Sequence, residues 1–178
     1  MKKLFFVFLI SVLCASFSNA QFSAGKHHLG PSVGFSFLGS TPQFGLNYEY
    51  GLDVKDFGLL GIGGIARYWS YSEDYGFGST GKWKYTDILI GAQANYHFKV
   101  GDGKFDPWLG VTLAYDAGKV TWDGPAGESW ASPSYGGMFF GGNAGARYWF
   151  SPAIAVSARL GFGSLGYGGL DLGVDFKF

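Results

Sequence analysis

Histidines, paired acids, a glycine fingerprint and two buried-looking arginines are the residues here whose types could do chemistry. His27, His28 and His97 could ligate a metal, but no second cluster with ligand spacing accompanies them. They are therefore expected to be a solvated terminal pair and one interior histidine. Asp102 and Asp106, in GDGKFDP, lack the remaining ligands of a calcium loop and read as turn residues. Gly61 to Ala66 spell G-x-G-x-x-A, a dinucleotide fingerprint that needs a helix after it; here an apolar, strand-like run continues into RYWSYS. No cofactor is expected. The arginines are more informative. ARYW occurs twice, with Arg67 and Arg147 inside glycine-rich apolar runs. An arginine facing an apolar environment without a partner is costly, so its neighbours must show which way it points.

The elements that place these residues alternate with period two. Eight such segments run at roughly 28–38, 43–51, 58–72, 85–99, 105–117, 136–149, 153–163 and 169–178. Short or turn-rich links (DVKDFG, VGDGKFDP, SP) alternate with another set that includes two long polar ones, EDYGFGSTGKWK and KVTWDGPAGESWASPS. Sorting by parity separates two faces. Leu170, Leu172, Val174, Phe176 and Phe178 oppose Asp171, Gly173, Asp175 and Lys177, and Phe44, Leu46, Tyr48 and Tyr50 oppose Gln43, Gly45, Asn47 and Glu49. Both ARYW copies put tyrosine on the apolar face and arginine on the polar one.

The chain start suggests its compartment. Two lysines, an apolar stretch and Ser18-Asn19-Ala20 form the pattern of a secretory signal peptide over residues 1–20, leaving 21–178 as one domain. Cys14 is the single cysteine, and Leu13 before it is bulky where lipidation wants a small residue, so the remaining 158 residues carry no thiol chemistry. Without Lys2 and Lys3 there are 11 basic and 13 acidic residues, a net charge of −2, which argues against nucleic acid.

Which face is inside follows from composition. The chain has 31 glycines, 20% aromatic and only 15% charged residues. A soluble barrel would crowd its outer face with Lys, Glu and Thr. Here the polar face is Gly, Ser, Asn and Gln with isolated charges, which suits the cramped interior of eight strands. The apolar stripes contain no charge, as a lipid face requires. The expected fold is all-β: a single eight-stranded antiparallel up-and-down transmembrane β-barrel, polar inside and apolar outside. Rings at strand ends suggest two girdles. One holds Tyr48, Tyr50, Phe57, Tyr96, Phe98, Phe105, Trp108, Tyr148 to Phe150, Phe176 and Phe178; the other holds Tyr68, Trp69, Tyr71, Tyr85 and Tyr115.

The terminal GGLDLGVDFKF resembles the last strand of Gram-negative outer-membrane barrels. FDPWLGVTLAY and GARYWFSPAIAVSARLGFG are similar to segments of the OmpA/OmpX-type small barrel families, and NAQF resembles leader ends of the Bacteroidota. The resemblance implies an outer-membrane location with both termini periplasmic. It also implies that Leu170, Leu172, Val174, Phe176 and Phe178 form the signal read by the barrel-assembly machinery. Expected partners are outer-membrane lipid, that machinery, and an extracellular glycan or protein ligand met by loops 73–84 and 117–135 through Tyr75, Phe77, Trp83, Trp122, Trp130 and Tyr135. The protein is expected to be a monomer.

Three functions fit: a structural or surface-binding barrel, a narrow OmpW-like channel for small or apolar solutes, and a lipid A-modifying enzyme. The last needs a nucleophile and base in reach, and His97 has only Asn95 and Lys99 as same-face neighbours, so no catalytic set is expected. The polar face carries Arg67, Arg147, Arg159 and Lys177 against Glu49, Asp87, Asp171 and Asp175. Strand direction puts Glu49, Arg147, Asp175 and Lys177 near the termini, Arg159 midway, and Arg67, Asp87 and Asp171 higher. Paired charges at each level would plug the lumen.

Overall fold

The computed structural model describes residues 21–74, 81–101, 103–124 and 131–178. Eight strands follow one another: β1 (His27–Ser36), β2 (Thr41–Val54), β3 (Gly58–Asp74), β4 (Lys82–His97), β5 (Phe105–Asp123), β6 (Ser134–Trp149), β7 (Ile154–Gly163) and β8 (Gly168–Lys177). Each is antiparallel to the next, and β8 pairs back to β1, closing the barrel. Closure leaves no open sheet edge where all eight strands run side by side, so the backbone there finds partners on both sides. The β1–β8 ladder is paired at Leu29–Phe176 and again at Ser32–Gly173, with Gly30 and Pro31 between; proline has no N–H to donate there.

Period-two alternation decides what lies outside. Phe35, Phe44, Ile90, Leu113, Phe140 and Leu172 each expose more than half their surface. A belt of such residues around the barrel is far larger than a water-facing protein tolerates, and it fits a hydrocarbon environment. The terminal-strand set Leu170, Leu172, Val174, Phe176 and Phe178 lies on this outer face.

Two expectations are corrected. The long links are shorter than the sequence suggests, because β3 and β4 stay paired out to Asp74 and Lys82, and β5 pairs Asp123 with Lys82. Trp83, Trp122 and Tyr135 therefore sit on strands that extend past the belt, not in loops; Tyr75, Phe77 and Trp130 lie outside the described residues. The girdles also lose members. Trp69, Trp108 and Trp149 share parity with Arg67, Asp106 and Arg147, and all three are buried inside the barrel. Tyr71 also packs inward, beside Trp69 and the other buried rings.

Candidate functional site: a lumen filled in layers

At the end that holds both termini, Arg147 on β6 organises the lumen. Its Nε donates to Asp175 Oδ1 at 3.0 Å, Nη1 to Asp106 Oδ2 at 3.4 Å, and Nη2 to Glu49 Oε2. The guanidinium fork thus spans acids from β8, β5 and β2, a planar five-donor geometry that lysine could not supply. Asn95 donates to the other oxygen of Glu49. His97 Nδ1 is 2.8 Å from Asp106 Oδ1, and its Nε2 lies 3.6 Å from Glu49. The imidazole is bracketed by two carboxylates, which fixes the ring rather than activating a nucleophile.

A ring from outside the strands closes this layer. Phe22 is buried, with its ring 3.6 Å from that of His97 and 4.2 Å from that of His28. The Arg147 guanidinium carbon lies 5.4 Å from the Phe22 ring centre and 4.7 Å from that of Trp108. The cation is therefore neutralised by acids on its edges and faced by rings, an arrangement that stabilises arginine away from water. Gly61 makes room for it. A Cβ there would stand 2.8 Å from Glu49 Oε1, 2.9 Å from His97 Nε2 and 3.0 Å from Phe22. The glycines that spell a dinucleotide motif are lumen-facing strand residues.

The next layer is held by Arg67 and Arg159. Arg67 Nε meets Asp171 Oδ2 at 2.8 Å, and its other donors reach Asn47 Oδ1 at 2.7 Å and the Ala66 carbonyl at 2.8 Å. Gln43 donates to the second Asp171 oxygen at 2.6 Å. Arg159 donates to Gln93 Oε1 at 2.5 Å and lies 5.3 Å from the Trp108 ring centre. A cavity of about 20 Å³ between Arg67, Arg159, Asn143 and Tyr167 has room for roughly one water. Above it, Ile65, Trp69, Leu89, Ala114, Phe139 and Tyr167 form an apolar layer across the lumen.

The structure brings together Glu49, Arg147 and Asp175, and separately Arg67 and Asp171. Others are placed differently from the expected pairing. Arg159 bonds an amide, Asp87 accepts from the Tyr135 hydroxyl at 2.7 Å, and Lys177 reaches the Gln21 carbonyl at 2.9 Å and the Trp149 ring. Asp106 is not a turn residue but a buried strand acid, and His28 is buried rather than solvated. Asp102 lies outside the described residues. Sequence reasoning placed Asn95 on the inner face but missed Phe22, Asp106 and Asp116 as lumen contributors. Parity alone could have found the last two.

An up-and-down barrel of eight strands, apolar outside and filled with charge and rings inside, has the fold of the small OmpA/OmpX-type outer-membrane barrels. By sequence the chain matches no described protein family and no curated protein. In structure it is similar to the N-terminal β-barrel domain of Pseudomonas aeruginosa OprF, at 18% identity and a TM-score of 0.59, over 87% of this chain and 98% of that one. It is also similar to Ail, the attachment invasion locus protein of Yersinia pestis, solved with the heparin analogue sucrose octasulfate, at 14% identity and a TM-score of 0.59, over 88% and 100% of the chains. A third likeness is OprG of Pseudomonas aeruginosa, at 14% identity and a TM-score of 0.54, over 90% and 99%. At these identities the likeness concerns the fold.

Proposed function

We propose that this chain is an integral outer-membrane barrel with a structural and surface-binding role, made with a cleaved leader at residues 1–20 and working as a monomer. The observation that carries the reading is a lumen crossed in successive layers by the Arg147 cluster, the Arg67–Asp171 pair and the apolar layer. A plugged lumen leaves the outward ends of the strands as the surface free to act. Those ends present Trp83 and Trp122, whose rings meet at 5.0 Å, a ring pair of the kind that binds sugars or proteins. That Ail, a barrel of the same fold, was solved with a heparin analogue supports ligand binding by a barrel of this kind. No catalytic role is assigned.

In this reading both termini and the links from β2 to β3, β4 to β5 and β6 to β7 face the periplasm. Single-cysteine labelling tests it, since Cys14 is the only native cysteine. On intact cells a membrane-impermeant maleimide should modify Leu165→Cys, in the exposed turn between β7 and β8, and leave Asp56→Cys unmodified. The reverse pattern would invert the topology.

A further inference from the structure

At the end of the barrel away from the termini, two carboxylates stand outside the charge clusters below. Asp87 on β4 and Asp116 on β5 are 0% and 6% exposed. Asp87 lies opposite Gly118 and Asp116 opposite Leu89, so they are diagonal neighbours on the inner face, with backbones roughly 7–8 Å apart. The Oδ1 atom of each has no hydrogen-bond partner among the described residues. Among the described residues, the ion pairs of Arg67, Lys82, His97 and Arg147 all go to other acids. Buried carboxylate oxygens without donors are costly and call for a partner.

Three tyrosines stand beside them. Tyr71 and Tyr85 stack with ring centres 4.8 Å apart and planes within 9°, and Tyr85 meets Tyr135 edge-on at 6.3 Å. Tyr135 lies over Gly118, where a Cβ would be 2.5 Å from its ring, and donates to Asp87 Oδ2. Gly136 and Gly137, which follow it, hold φ of 104° and 141°, conformations that favour glycine, and a Cβ at Gly136 would run into the Asp116 carbonyl oxygen, so this ring is carried close over β5. Trp69 and Leu89 seal the floor against the lower lumen.

We propose that this mouth binds a protonated aliphatic amine, whose N–H groups donate to Asp87 Oδ1 and Asp116 Oδ1 while its methylenes lie against Tyr71 and Tyr85. Ammonium–carboxylate hydrogen bonds are the strong kind, and tyrosine faces attract cations. A quaternary ammonium would leave both oxygens without donors. A calcium ion would need more oxygen ligands than two carboxylates and a phenol supply. The proposal rests on the functional reading above only in taking this mouth to face outward.

Titration calorimetry on the full barrel folded in micelles tests it, with heat-modifiable gel mobility as the check on folding. The probes are 1,4-diaminobutane and an end-blocked peptide carrying one lysine, which separate a free amine from a lysine on a partner. Saturable binding of either is expected, weakened roughly tenfold or more by Asp116→Asn. Tyr85→Leu, which keeps both acids, should weaken it about fivefold. No saturable binding of either probe, or equal affinity in wild type and Asp116→Asn, overturns the proposal, as does calcium chloride binding as tightly as the diamine. If binding holds in micelles but Leu165→Cys is not labelled on cells, the site stands and the outward-facing reading falls.

Discussion

The ring of Phe22 lies flat against the imidazole of His97, with centres 3.6 Å apart and planes 4° apart. A residue preceding the first strand thus closes the lumen over a histidine carried by the fourth. His28 stacks on Phe22 as well, so the stopper is held between β1 and β4.

Removing that ring should free the N-terminal segment without unfolding the barrel. Phe22→Ala is expected to make the chain cleavable by trypsin in micelles at Lys26, which is exposed but whose carbonyl is held by the Gly51 N–H, where wild type resists. Equal resistance of the two proteins would show that Phe22 does not anchor the segment.

Arg147 and Arg159 should differ in what their loss costs. Arg147→Ala leaves Glu49, Asp106 and Asp175 without their shared cation and should destabilise the barrel by about 3–5 kcal/mol if water does not reach them. Arg159→Met removes a cation bonded to a glutamine amide and should cost less, about 1–2 kcal/mol. Urea unfolding midpoints in micelles compare them directly. A larger loss for Arg159→Met would contradict the ranking.

Two inward glycines provide a matched test of packing. A methyl at Gly61 would press on Glu49, His97 and Phe22, whereas one at Gly161 would find only Tyr167, at 3.7 Å. Gly61→Ala should therefore destabilise by about 1–3 kcal/mol, and Gly161→Ala should stay within about 0.5 kcal/mol. Thermal unfolding read by circular dichroism separates the two.

Much of this architecture is legible in the residues, and the exceptions have physical causes. Period two assigns Arg67, Glu49 and Asp175 to the interior because a strand has only two faces. The same parity puts Trp69, Trp108 and Trp149 inside, but aromatic residues at strand ends also fit a girdle, and that association competes with the geometry. Asp106 sits among turn-forming residues in GDGKFDP, and that composition outweighs its place as the second residue of a segment that begins at Phe105. Phe22 belongs to no periodic segment, so no local pattern marks it; only the closed barrel brings it to His97. The extra strand length at Lys82 and Asp123 is hidden because the residues there are polar and read as loop.

The terminal strand should matter for assembly more than an outer turn does. Phe178 exchanges both backbone hydrogen bonds with His27, each 3.0 Å, at the seam where β8 closes on β1. Phe178→Asp should lower the folded fraction in cells well below that of Leu165→Asp, read by heat-modifiable mobility. Equal folded fractions would remove the terminal residue from assembly.

The plugged lumen is tested most directly by planar-bilayer recording of the pure wild-type barrel. With Phe22, the Arg147 cluster and the Trp69 layer stacked across it, the barrel should show at most small, infrequent openings, and Phe22→Ala alone should not produce a steady current because the upper layers remain. Large, steady, porin-like currents from the wild type would contradict the closed lumen and favour a channel.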